Sequence, residues 1–220
     1  MAITRLGPNN STNISGVNLT SQVTGTLPIA NGGTAVTTAA TLANTGNLVL
    51  ISSVTASNAS NIIFDNDASG VIFDDAYKCY MFNFQRVYGA TNDQKIHFIT
   101  RTGSSDSGGT FRQQSMYHTY NGSTSTNPAS APNSDKLYQI AGTIRNDNPE
   151  YFQGQIFCYG IGENTRMAIT GQCIYKNNSG YTHNEAFSSS SDTTQTINGM
   201  KFQMASGNIY GTISLYGIKT

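Results

Sequence analysis

Tryptophan is missing from the chain, and charge is scarce. Only 11% of its 220 residues are Asp, Glu, Lys or Arg, against roughly 25% in an average soluble protein. Twelve basic residues balance twelve acidic ones, and the basic ones are scattered singly from Arg5 to Lys219. That excludes the basic face with which a nucleic-acid binder displaces counterions. No apolar run approaches the roughly 18 residues of a membrane-crossing helix, so no membrane insertion is expected. Residues 1–8 lack the apolar stretch of a secretion signal, which predicts synthesis in a cytoplasm. Three cysteines (Cys79, Cys158 and Cys173) are too few and too dispersed for a disulfide framework. Each lies in a run that reads as a strand, where Cys serves as a small buried apolar residue.

The residues that are present favour strands and turns. Ser, Thr, Asn, Gln and Gly supply the solubility that Glu, Lys and Arg would give a helix, and Tyr and Phe are plentiful from Phe64 onward. Before Phe64 there is no aromatic residue, and Arg5 is the only charge. A segment with isolated Val, Ile and Leu and no aromatics cannot build a core of its own. Residues 1–46 therefore read as a disordered tail or as an extended arm that orders against partner chains, and residues 47–220 as a folded domain. In the arm, Val17, Leu19, Val23, Leu27 and Ile29 are the candidate assembly contacts. Pro28 with Gly32 and Gly33 forbids a continuous helix there and sets a tight turn. Residues 37–42 suit a brief helical turn ending at Gly46.

Beyond the arm the chain reads as alternating strands and polar loops. Residues 48–54 make a first strand; 62–64 and 71–73 flank a turn and read as a hairpin. Residues 78–86 alternate with period two, placing Tyr80, Phe82 and Phe84 on one face. Further strands are predicted at 95–102, 111–117, 135–144, 151–159, 166–175, 181–187, 201–205 and 209–218, with long loops at 103–109 and 121–134. About ten short strands predict an all-β, jelly-roll-like sandwich preceded by the N-terminal arm.

Residues 23–34, reading Val-Thr-Gly-Thr-Leu-Pro-Ile-Ala-Asn-Gly-Gly-Thr, resemble a segment common in bacteriophage tail-fibre and related virion proteins. Ala35 stands where that family has a further Gly. Residues 211–219 look like the closing strand of small β-domains in marine and cyanobacterial phage appendage proteins. The two matches cover roughly a tenth of the chain. The resemblance implies a virion protein, a homotrimer, other capsid or tail proteins as partners, and no catalysis. Tail fibre, adaptor, head fibre and capsid decoration protein all remain open.

Candidate chemistry is sparse. Asp65 and Asp67, with Gly70, match the first half of a calcium loop, but Ala76 stands where the bidentate acid belongs, so a polar turn is expected and no cofactor. His97, His118 and His183 lack zinc-ligand spacing. His183 and Glu185 share one strand face and read as a surface pair. No nucleophile elbow or phosphate loop is present, so an enzyme is not expected. Tyr117, Tyr120, Tyr175 and Tyr181 lie in strands near loops and are the candidates for a glycan- or protein-binding surface, since Tyr offers apolar area with a polar tip. The alternative function is thus a receptor-binding tip recognising host-surface glycan.

Overall fold

The fold was obtained as a computed structural model, which describes residues 47–66, 71, 73–74, 76–107, 111–120, 124–134, 137–138, 144–146 and 151–219. Of the chain's two units, Met1–Thr45 and Gly46–Thr220, all of these belong to the second. The arm candidates Val17, Leu19, Val23, Leu27, Pro28, Ile29, Gly32 and Gly33, the turn at 37–42 and Asp67 lie outside the described residues.

In chain order the strands are β1 (Leu48–Ala59), β2 (Ile62–Asp65), β3 (Cys79–Gly89), β4 (Ile96–Thr102) and the short β5 (Ser105–Asp106). Then come β6 (Phe111–Tyr120), β7 (Thr124–Ser134), β8 (Leu137–Tyr138), β9 (Phe152–Tyr159) and β10 (Asn164–Thr165). The last are β11 (Ala168–Lys176), β12 (Thr182–Ser191), β13 (Gln195–Thr196), β14 (Gly199–Met204) and β15 (Ile209–Ile218). Eight of them nest like the two arms of one long hairpin. β1 pairs with β15, β2 with β14, β3 with β9 and β4 with β8, all antiparallel. Pairing of β15 with β3 and of β14 with β4 rolls this ribbon into two sheets, β1-β15-β3-β9 and β2-β14-β4-β8. That is a jelly roll.

Two hairpins, β6–β7 and β11–β12, then extend the first sheet beyond β9 into the eight-stranded order β1-β15-β3-β9-β11-β12-β6-β7. Only glycine permits the junction. A Cβ at Gly154 of β9 would stand 2.3 Å from the Gln172 carbonyl oxygen of β11. Both edges of the long sheet are blunted. β1 carries irregularities at Leu50/Ser52 and Ala56/Ala59, and β7 contains Pro128 and Pro132, whose nitrogens cannot donate to another strand.

Alternation fills the space between the sheets. Tyr80, Phe82 and Phe84 of β3 are buried; Tyr80 meets Phe73 at 5.0 Å, and Phe202 of β14 sits 5.0 Å from Phe82 and 5.2 Å from Phe84. Phe64 and Phe98 close on Phe202 at 6.2 and 5.5 Å. Each fully buried Phe contributes roughly 1.5–3 kcal/mol. Across the second sheet, Arg101 of β4 reaches over Gly199 to Asp65 of β2 at 2.9 Å. A Cβ at 199 would lie 2.6 Å from that of Asp65, so glycine opens the path.

Three expectations are corrected. Residues 62–64 do not pair with 71–73: β2 pairs with β14, and Val71 and Phe73 are buried outside any strand. The loop expected at 121–134 is largely β7, because an edge strand tolerates proline where an inner one does not. His183 and Glu185 are not a surface pair; the alternation that buries Phe187 turns both of them inward.

Candidate functional site

The outer face of the long sheet continues the alternation with side chains of a different kind. One row runs Ser53–Ser214–Asn83–Gln155–Gln172–Ala186–Met116 across seven strands. The next runs Leu50–Tyr216–Met81–Phe157–Thr170–Ser188–Gln114. Neither row holds a titratable side chain other than the Tyr216 phenol. A shallow trough of about 850 Å³ lies on this face, lined by Asn83, Gln85, Gln155, Gln172, Ile174 and Asn184. Thr170 borders both this trough and a second of about 590 Å³ that ends at Arg112, itself paired with Asp192 at 2.7 Å. Met116 and Ile174 are each 50% exposed. Amides and hydroxyls near apolar groups suit contact with another surface better than chemistry on a substrate.

At one end of this face the strands bulge. β3 and β15 lose register between Phe84 and Val87 and between Tyr210 and Thr212. There Arg86 has φ 55° and Gly211 φ 108°, and a Cβ on Gly211 would lie 2.4 Å from the Arg86 carbonyl oxygen. Bulges of this kind re-aim side chains. Here they gather Tyr88, Tyr210 and Tyr151. Tyr88 stacks on Tyr210 at 4.9 Å with 6° between the rings, and Tyr151 leans on Tyr88 at 5.6 Å. Arg86 Nη2 donates to the Tyr151 hydroxyl at 2.6 Å, with the guanidinium carbon 4.7 Å from that ring's centre. The hydrogen bond raises the Arg86 pKa above its ordinary value. These groups line a pocket of about 370 Å³, with Ser57, Thr55 and Gln85 at its rim. Gln85 also lines the trough, so the two features adjoin.

A third cluster is internal. Tyr175 donates its hydroxyl to Glu185 Oε2 at 3.1 Å, and Glu185 is fully buried. His183 stacks on Tyr175 at 5.0 Å and lies 3.3 Å through Nδ1 from the Thr119 hydroxyl. Burial lowers the His183 pKa and holds the ring neutral. Burial also pushes the Cys158 and Cys173 thiols well up, so both stay protonated. The other ring nitrogen of His183, Nε2, is buried with no hydrogen-bond partner among the described residues.

The four candidate tyrosines are not one patch. Tyr175 is buried among core residues, which removes it from any binding surface. Tyr117 faces inward beside His183, at 5.4 Å. Tyr120 and Tyr181 are 69% and 41% exposed. The tyrosines that do cluster are half-buried Tyr88 and Tyr210 with buried Tyr151; the sequence signal for them was the isolated Gly211 in a strand run, a mark of a bulge. Asp65 gives its carboxylate to Arg101, the place a calcium ion would have to take. Among the described residues no three His, Cys, Asp or Glu side chains converge to hold a metal.

Compared with known proteins, the chain matches no family model, no curated protein and no solved structure.

Proposed function

We propose that the chain is a structural subunit of a bacteriophage particle, a fibre, adaptor or capsid-decoration protein that works by surface contact as a homotrimer. Its single strongest support is the outer face of the eight-stranded sheet, whose two central rows are uncharged and whose exposed apolar groups include half-exposed Met116 and Ile174. Desolvating such a face leaves no charge stranded, which is what a permanent contact requires. The blunted edges favour the same reading, because they discourage open-ended strand addition and leave the face as the route to a closed assembly. The segment at 23–34 points to the virion and gives residues 1–46 their role as anchor.

Sedimentation of the full chain tests the assembly. The expected species has the mass of three chains, and Met116→Glu with Ile174→Glu dissociates it while leaving the circular dichroism of the fold unchanged. A monomer at all concentrations, or a trimer indifferent to both charges, overturns the face as the contact. Quantitative mass spectrometry of purified particles tests the location. Stoichiometric copies are expected, and absence from the particle overturns the virion assignment.

A further inference from the structure

We infer that the corner formed by Arg86, Tyr88, Tyr151 and Tyr210 is a binding site for an acidic saccharide, a sugar bearing a carboxylate. Three independent observations meet there. The first is charge. Arg101 and Arg112 each hold an aspartate, whereas Arg86 has the Tyr151 phenol as its one side-chain partner among the described residues. The phenol takes one of five guanidinium donors, so a carboxylate can still approach the fork in the bidentate geometry that arginine favours. Tyr151 orients the fork in advance and reduces the ordering cost of capture.

The second is shape. Tyr88 backs Tyr210 face to face at 4.9 Å, which leaves the other face of Tyr210 as an aromatic ledge at the pocket, and a flat ring packs against the C–H face of a pyranose. Gln85 at the rim offers both a donor and an acceptor for sugar hydroxyls. The pocket's roughly 370 Å³ falls in the ~300–1,000 Å³ range of small-ligand sites. The third is backbone strain. A non-glycine residue at φ 55° is uncommon and costs free energy. That cost falls on the residue that delivers the guanidinium, opposite a glycine that nothing larger could replace. A neutral sugar would leave the cation unused, and an aliphatic carboxylate would leave the ledge unused. The combination selects a ligand with both.

Calorimetric titration of the full chain tests the assignment, using oligogalacturonate, a neutral maltooligosaccharide of the same length and a sulfated oligosaccharide of equal charge. Saturable binding of oligogalacturonate is expected, weaker at high salt and at least about tenfold tighter than either control. Arg86→Gln should weaken it by about tenfold or more, and Tyr210→Ala by a similar factor. Thermal melts of both variants check that the domain is folded. No saturable binding of oligogalacturonate, equal binding of the neutral or sulfated chain, or full affinity in a folded Arg86→Gln variant each overturns the site. None of these results bears on trimer formation, which rests on other residues.

Discussion

The jelly-roll half of the long sheet and its extension obey the same alternation yet fill their inward positions differently. In β3 the inward row is Tyr80, Phe82 and Phe84, and it meets the rings of the facing sheet around Phe202. In β12 the inward row is His183, Glu185, Phe187, Ser189 and Ser191. Three of those polar groups meet partners sideways, while the Ser189 hydroxyl has no hydrogen-bond partner among the described residues. Glu185 takes the Tyr175 hydroxyl, His183 approaches Thr119, and the Ser191 hydroxyl accepts from the Met167 amide at 2.9 Å. Stacking between layers thus dominates in the roll, whereas in the extension the contact of Phe187 with Phe98 across the layers at 6.0 Å is accompanied by bonds within one layer. Periodicity reveals which side faces in; the chemistry that side must carry depends on what lies opposite.

Phe202→Ala should give the largest loss, about 3–5 kcal/mol in denaturant unfolding, because four aromatic neighbours then border a cavity. A loss under about 1 kcal/mol would mean that the ring cluster is not what joins the two sheets. In the extension, Tyr175→Phe removes the donor to a buried carboxylate and should cost about 1–3 kcal/mol. If it proves neutral, the sideways bonding that sets the extension apart has no energetic weight.

A smaller effect follows from pH. Burial depresses the folded-state pKa of His183 below its unfolded value near 6.5. Its contribution is therefore complete above about pH 6.5 and is lost as pH falls from there through the folded value, at no more than about 1.4 kcal/mol per pH unit. His183→Gln should flatten that part of the stability profile between pH 7 and 5. An unchanged profile would show that the ring does not titrate with folding. The smallest expected change is on the outer face. Thr55→Ala breaks a 2.9 Å hydroxyl pair with Thr212 and should cost about 0.2–1 kcal/mol, measurable as a shift in melting temperature.

Much of the roll was legible from residue order. The period-two runs at β3, β9 and β15 are long and aromatic, and their inward faces follow from counting. The partner of β2 was not, because Ile62 meets Phe202 across most of the domain while 71–73 lay close at hand in sequence. β7 was hidden by Pro128 and Pro132, which spell loop everywhere except at a sheet edge. At the candidate sites, Tyr175 was open to correction by parity with Ile169 and Cys173, since all three fall inward on β11. Tyr88, Tyr151 and Tyr210 were not open to such counting. Two bulges shift the phase on both strands, and Tyr151 joins the other two only through the fold.

The nested pairing of the roll has a consequence for how the chain comes into being. Leu48 waits for Ile218 and Ile62 for Phe202, so strands made first stay unpaired until the last have left the ribosome. Loop-closure entropy must be met before any of these long-range contacts returns free energy, which places the domain among slow folders. During that interval β1 and β2 are open strands looking for a neighbour. Nascent chains translated close together on one message can find each other's, and a pause before β14 would prolong the exposure.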